Sequence, residues 1–428
     1  MSYRAAISYL YALSPRGMEL GLGRMEQALA LRGHPERACP SILVGGTNGK
    51  GSVATMIATV LASAGHKVGL FTSPHLHRFV ERFRIDGRPV AERTIAHQVA
   101  ALRPFLDAPG TPRLTFFETA TLLAFELFRD ACCDVMVLEV GLGGRLDATN
   151  VVTPLLSVIT SVALDHTAQL GPTVAHVARE KAGIVKPGVP VVVGVRDPDA
   201  RAVIARRARR IGAPLLAIGR DFRGEVEDAE GTRQRVVQGA RQIAGLRLPL
   251  AGSYQADNLA CAVAALWQLE ERFGIDARAL RRGLRRVRWP GRLERIEGTP
   301  ALLLDAAHNP HAAEALARHL VACCGHYRRR VLVFGSMRDK EHDRMLACLR
   351  PCVDAVVFTQ SDTSRAEPAR ALAARYGGEA RDVPASALAR ARKLAGKRGL
   401  VIACGSIFVM AAVRAEALGV RADPPIAL

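Results

Sequence analysis

Aromatic residues make up only 5% of the 428 positions, so any core this chain builds is expected to be aliphatic, from Leu, Val, Ile and Ala. Nine cysteines are present, but no CxxC pair, and most sit in apolar stretches (Cys132, Cys133, Cys261, Cys404). That pattern argues against a zinc site and a disulfide framework, and for a reducing cytosol. No uninterrupted apolar run reaches the ~18 residues of a spanning helix. The N-terminus, MSYRAAISYLYALSPRG, lacks a charged region followed by a long apolar one. A soluble, cytoplasmic protein with no membrane partner is expected. There is no internal repeat, no low-complexity tail and little lysine: only Lys50, Lys67, Lys181, Lys186, Lys340, Lys393 and Lys397. A lysine kept in so arginine-rich a chain draws attention to its position.

The net charge of +19 raises nucleic-acid binding. The arginines, however, are scattered or gathered in short helical runs, such as Arg206, Arg207, Arg209, Arg210 and Arg281, Arg282, Arg285, Arg286. There is no aromatic-interleaved basic stripe. Solvated helix faces account for these runs, with attraction of anionic small substrates as a second reading, and no nucleic-acid partner is expected.

At roughly 100–200 residues per domain, two or three domains are expected. The texture is α/β: short apolar, β-branched runs alternate with helical patterns across Gly-rich joints. Predicted strands are Ile42–Gly45, Val68–Thr72, Val135–Val140, Leu156–Val162 and Val189–Val195, with the continuous apolar character of buried parallel strands. Residues 217–250 read as a polar β-hairpin excursion, followed by a helix from Gln255 to Phe273 and the turn-rich Trp289-Pro290-Gly291-Arg292. A second α/β rhythm has strands at Ala301–Leu304, Arg330–Phe334, Ala355–Thr359 and Leu400–Ala403. The division is placed at 1–296 and 297–428.

The strongest local signal is SILVGGTNGKGSVATMIATVLASAGHKVGLFTS. A strand ends at Gly45, a turn carries Gly46, Gly49 and Gly51, and a helix runs on to a stop at Gly65. Converging backbone N–H groups, a helix dipole and the charge of Lys50 make an anion site. It is not the common P-loop, because Gly51 separates Lys50 from Ser52. The loop identifies a nucleotide site and leaves the reaction open.

Other strings fall at strand ends, where ligand sites of doubly wound sheets lie. Ser73-Pro74-His75-Leu76 follows the second strand. LEVGLGGRLDATN puts Glu139 at the end of another, with Arg145 and Asp147 in the next loop. ALDHTAQLG adds Asp165 and His166. Nucleotide-bound Mg²⁺ wants hydroxyl and carboxylate oxygens, which Ser73 and Glu139 supply; His166 is a softer partner. Lys181 as a free cation cannot ligate a metal, and by default it pairs with Glu180 or a phosphate. In LLLDAAHNPHAAEAL a strand ends at Asp305, and His308 and Asn309 occupy the loop before a helix. Asn258 reads as a helix-start residue.

Together the strings GTNGKGS (46–52), SPHL (73–76), ERFRIDG (81–87), LEVGLGGRLDATN (138–150), LDHT (164–167), EKAGI (180–184), PGR (290–292) and DAAHNPHA (305–312) resemble the folylpolyglutamate synthase/dihydrofolate synthase family of the Mur-ligase superfamily. The resemblance covers nearly the whole chain. It implies an N-terminal ATPase domain with a parallel sheet and a smaller C-terminal Rossmann-like α/β domain, the site lying between them. It implies ATP contacts from Gly49, Lys50, Gly51 and Ser52, and across the cleft from Asn258, Arg292 and Asp305. Two Mg²⁺ ions would be held by Ser73, Glu139 and His166, with Lys181 joining them as a carbamylated lysine. The pterin-bearing acid would lie against Thr115, Phe116, Phe117, Glu118 and Leu146, Asp147, Ala148. Thr119-Ala120-Thr121 departs from the bulkier Phe-Gly-Thr familiar in relatives. Lys50, Lys181 and His308 are the implied catalytic residues.

The implied reaction is ATP-dependent ligation of glutamate to dihydropteroate and to folate tails by a monomer, through an acyl phosphate. A Mur-type ligase for another carboxylate, or polyglutamate synthesis alone, are the alternatives within the class. A basic nucleic-acid-stimulated ATPase is the alternative outside it.

Overall fold

The computed structural model describes residues 1–14 and 21–424. Two mainly parallel sheets and their helices divide the chain, and a small antiparallel sheet lies between them in sequence. The first sheet has eight strands: β1 (Ser41–Gly45), β2 (Val68–Phe71), β3 (Phe83–Ile85), β4 (Arg88–Pro89), β5 (Val135–Glu139), β6 (Leu156–Ile159), β7 (Val191–Val193) and β8 (Leu215–Ala217). Their order is β4-β3-β2-β5-β1-β6-β7-β8, parallel from β2 to β8, with β3 and β4 antiparallel at one edge.

Alternation across the pleat explains the unbroken apolar runs. In β1, Leu43 enters one core while Ile42 and Val44 enter the other; in β5, Met136 and Leu138 oppose Val135 and Val137. Both faces are covered by helices, so neither half of the alternation can be polar. One face carries Phe116–Asp130, Val174–Ala182 and Pro198–Arg210; the other carries Lys50–Ser63, Gln255–Gln268 and Ala277–Arg286.

The segment expected to be a hairpin is a three-stranded antiparallel sheet: β9 (Phe222–Val226), β10 (Arg233–Gln238) and β11 (Arg241–Arg247). Its apolar face, including Phe222, Val236 and Leu246, packs into the second core. The strands β3, β4 and β8 were not legible in the sequence. They are two or three residues long and lie towards the sheet's edges, where a short apolar run has no periodicity to read.

The second sheet contains β12 (Glu294–Ile296), β13 (Ala301–Leu304), β14 (Arg330–Phe334), β15 (Ala355–Phe358), β16 (Glu379–Ala380) and β17 (Leu400–Cys404), in the order β12-β13-β17-β14-β15-β16. All are parallel except β12, which runs antiparallel to β13. Strand β12 lies before the 296/297 division read from the sequence. The second sheet therefore starts at Glu294, because the turn at residues 289–292 is followed at once by a paired strand. Both sheets aim the C-terminal ends of their parallel strands at one cleft.

Candidate active site

That cleft has a volume of about 1290 Å³ and is lined from both halves of the chain. On the first sheet its floor is the turn after β1, at the point where the strand order reverses: β5 lies on one side of β1 and β6 on the other. The turn is held from β6. Thr160 Oγ1 donates to the Asn48 carbonyl at 2.7 Å and Ser161 Oγ to the same oxygen at 2.9 Å, while Asn48 N–H donates to Ser161 Oγ at 2.9 Å. Thr47 N–H donates to the Ser161 carbonyl at 2.8 Å.

Gly49 precedes the helix Lys50–Ser63 with φ +87° and no side-chain cap. A Cβ there would run into the Asn258 carboxamide, so this position is closed to side chains by both conformation and space. The first bond inside the helix is Val53 N–H to the Gly49 carbonyl, which leaves the N–H groups of Lys50, Gly51 and Ser52 without helical acceptors. Lys50 Nζ folds back over the turn, donating to the Gly46 and Thr47 carbonyls at 3.1 Å each. Unpaired donors, a dipole and an ammonium thus converge at the cleft floor.

Ser73, Glu139, His166 and Lys181 all line the same cleft. Glu139 is buried at the end of β5, and its Oε2 accepts the Ser73 N–H at 3.0 Å. Burial pushes its carboxyl up, opposed by Lys50, the Ser73 N–H, Arg292 and Arg82. His166 is pushed down to about 4, by burial first and then by Lys340, so its imidazole is neutral and free to donate a lone pair at pH 7. Among the described residues, no group of three or more His, Cys, Asp or Glu side chains is spaced to hold a metal. The set expected here has only two such side chains, completed by a hydroxyl and a lysine. One carboxylate and one hydroxyl suit a hard cation, and a cation would compensate the buried Glu139.

Lys181 is 3% exposed on the helix Val174–Ala182. Its expected pairing with Glu180 does not occur. Glu180 turns outward to Arg145, 3.0 Å away, because adjacent helical positions point about 100° apart. Burial, reinforced by Lys50, lowers the Lys181 amine from 10.5 to about 7, against the pull of Asp165 and Asp147.

The second half of the chain supplies the facing wall. Asp305 is buried at the end of β13 and accepts N–H groups from Leu293 (2.9 Å) and Ala307 (2.9 Å). Burial raises its carboxyl while Arg292 opposes the rise. Arg292 and His308 also line the cleft. His308 Nδ1 lies 2.8 Å from the Ala306 carbonyl, and Nε2 faces Asp165 at 3.4 Å. Asn309 caps the following helix through Ala312 N–H, and it also reaches across the cleft to Asn48 and Asp165, both at 3.1 Å.

Asp165 is the hub of this crossing. Lys340 Nζ is 2.5 Å from its Oδ1, and both side chains are nearly buried, at 9% and 8% exposure. Burial pushes Asp165 up, but the hydrogen bond and charge of His308, with Lys340 and His166, hold it well below the usual carboxylate range. In the sequence Asp165 stands out only within its string, and Lys340 has no marked role. The rarity of lysine was the one available signal for Lys340. Arg82, buried near Glu139, likewise stands out in the sequence only within its string; burial lowers it to about 10.

The segments expected to hold the acceptor are placed differently. Thr115 and Glu118 form a reciprocal capping box at the start of Phe116–Asp130, and Glu118 also pairs with Arg24 at 2.9 Å. Asp147 caps the short turn Ala148–Val151 and accepts N–H groups from Leu142 (2.8 Å) and Thr149 (3.0 Å). Their polar atoms are thus engaged in holding the loops. Phe117 packs against Gly141, which does line the cleft, and Phe116 stacks edge-on with Tyr11. Leu146 and Ala148 lie in the same loop as Asp147, outside the set of residues that lines the cleft.

This architecture is that of a Mur ligase: residues 44–266 match the Mur ligase middle domain, and residues 291–407 match the Mur ligase glutamate ligase domain. The chain is 36% identical to the folylpolyglutamate synthase of Lacticaseibacillus casei, over 98% of this chain and 99% of that protein. It is 38% identical, over 97% of its own length, to a probable bifunctional folylpolyglutamate synthase/dihydropteroate synthase of Haloferax volcanii, of which it spans 50%. It superposes on Escherichia coli FolC in complex with DHPP and ADP with a TM-score of 0.86 at 35% identity, covering 96% of each chain. A bifunctional folylpolyglutamate synthase/dihydrofolate synthase with Mn, AMPPNP and L-glutamate bound gives a TM-score of 0.87 at 35% identity, covering 98% of each chain. The chain belongs to the folylpolyglutamate synthase/dihydrofolate synthase family, a family of ATP-dependent ligases. Among the described residues, no helix is long and apolar enough to cross a membrane.

Proposed function

We propose that this chain joins L-glutamate to dihydropteroate, giving dihydrofolate, and extends the glutamate tails of reduced folates. The observation that carries the reading is a single cleft in which an anion-binding helix start, a buried carboxylate–serine edge and a facing wall from the second sheet converge.

In this reading, Lys50 and the N–H groups of Gly49, Gly51 and Ser52 hold the ATP phosphates, while Asn258, Arg292 and Asp305 hold the nucleotide from across the cleft. Ser73, Glu139 and His166 would hold two Mg²⁺ ions, which would neutralise phosphate charge when bound. A neutral Lys181 amine can add to CO₂ with loss of a proton, and the resulting carbamate would supply the oxygen ligand that a lysine lacks. The acceptor's carboxylate attacks the γ-phosphorus, releasing ADP and leaving an acyl phosphate. The glutamate amine then displaces phosphate to form the amide. Lys50 and Arg292 stabilise the transferring charge, and His308 orients the intermediate. Phe116 and Phe117 shape the acceptor end, with Thr115, Glu118, Leu146, Asp147 and Ala148 fixing its walls. The enzyme is a monomer with small-molecule substrates and no nucleic-acid partner.

Purified protein with ATP, Mg²⁺ and glutamate should release phosphate when given dihydropteroate or a reduced folate. No release with either acceptor from folded protein would refute the reading. Release with a reduced folate alone would restrict it to tail extension.

A further inference from the structure

The end of the chain returns to the first domain. After the helix Ile407–Leu418, the backbone crosses to the loop that carries Ser73. Asp423 Oδ2 accepts from the Tyr3 hydroxyl at 2.6 Å and from Phe79 N–H at 2.7 Å. Asp423 N–H donates to the His77 carbonyl at 2.7 Å, and Arg78 Nε stands 3.9 Å from Oδ1. The Asp423 side chain is only 10% exposed. This one carboxylate therefore ties the helix Tyr3–Tyr11, the turn Phe79–Arg82 and the backbone of the 73–82 loop together.

A second tie runs beside it. Arg414, on the final helix, donates to His77 Nε2 at 3.0 Å and pairs with Glu294 at 2.9 Å. Glu294 Oε2 accepts Gly291 N–H at 2.8 Å, next to Arg292. Within the loop, the Glu81 carboxylate gathers the N–H groups of Leu76 (2.8 Å), His77 (3.1 Å) and Arg78 (3.0 Å). The loop is thus a compact unit with Ser73 at one end and two grips from the far end of the chain at the other. Phe79 also packs on Phe116, so the same grips bear on the acceptor side of the cleft.

We propose that Asp423 and Arg414 are positioning residues: the terminal helix and tail hold the 73–82 loop so that the Ser73–Glu139 edge is set for the nucleotide. This rests on the reading of that edge as the nucleotide–metal side of the cleft. Both grips act at a distance, and neither side chain lines the cleft.

The test uses the full chain with Asp423→Ala, Tyr3→Phe and Arg414→Ala. One readout is hydrogen exchange of the 76–82 amides without nucleotide. The other is the Kd of Mg-AMPPNP by calorimetry on protein verified as folded. Losing the carboxylate should speed exchange and weaken binding by about tenfold each, the scale of one charge-assisted hydrogen bond. Tyr3→Phe removes one bond to the carboxylate but keeps its contact with Phe79 N–H, so its effect should be smaller than that of Asp423→Ala and gives a graded result even if Asp423→Ala folds poorly. Unchanged exchange in the variants would overturn the proposal. So would faster exchange with unchanged Kd, because the tail would then only stabilise the fold. Neither readout needs turnover, so failure of glutamate ligation in the wild type would refute the proposed function and leave this inference to stand or fall separately.

Discussion

Replacing Lys181 with methionine should stabilise the protein while abolishing ligation. Lys181 is 3% exposed, and its amine is lowered from 10.5 to about 7. Below pH 7 the folded chain must carry a buried ammonium that the unfolded chain keeps in water. At about 1.4 kcal/mol per pH unit, this shift costs the folded state about 5 kcal/mol at pH 6. Between pH 7 and 10.5 the unfolded state binds the extra proton, so stability rises with pH across that window. By pH 9 the remaining cost is about 2 kcal/mol. Methionine has nearly the same length and no charge, so Lys181→Met removes the penalty in both conditions. Urea unfolding in CO₂-depleted buffer should show the variant more stable by about 5 kcal/mol at pH 6 and by only about 2 at pH 9. The comparison is between variant and wild type at each pH, so titrations common to both largely cancel. A variant no more stable than wild type at pH 6, or a gain that does not shrink by pH 9, would refute the account of Lys181 as an uncompensated buried base. Added bicarbonate should stabilise wild type above pH 7 and leave the methionine variant unaffected.

Gly49→Ala places a methyl group at φ +87° against the Asn258 carboxamide, a strain of about 1–3 kcal/mol, and calorimetry should show AMPPNP affinity falling at least about tenfold. Asp165→Asn leaves the nearly buried Lys340 ammonium with Asp339, 3.9 Å away and half exposed, as its remaining carboxylate; up to about 3 kcal/mol of domain coupling should be lost, splitting one urea transition into two. Glu118→Ala removes both the capping box and the Arg24 pair, and thermal unfolding should fall by the few degrees that about 1–2 kcal/mol represents. If that variant keeps its midpoint but loses acceptor binding, the structural account of Glu118 is wrong and direct contact with substrate is right.

The glycine turn and helix start at the cleft floor were legible because their signals are local. A glycine turn between a buried strand and a helix is readable from residues 41–65 without any tertiary knowledge. The strand Ser41–Gly45 and the helix end at Ser63 lie within a residue or two of those expected, while the helix begins at Lys50 and takes in Gly51, which was read as part of the turn. The strand-end positions of Ser73, Glu139, His166 and Asp305 followed equally from short apolar runs that stop at a polar residue. Family likeness, and no local chemistry, connected those strings to glutamate and a folate acid.

What the sequence alone determined was the alternation of apolar strands and helices, and with it two α/β units whose strand ends carry the polar strings. Buried apolar runs of 4–5 residues have few other homes. Tertiary structure decided everything that depends on residues distant in the chain. Lys340 meets Asp165 across 175 positions, and Asp423 meets Tyr3 across 420; no periodicity encodes such pairs. It decided the partner of Glu180, because a helix turns neighbouring side chains apart. It also decided the state of Lys181. The letter K specifies an ammonium at pH 7, and only burial at the cleft wall, beside Lys50, makes it an amine that is half neutral there.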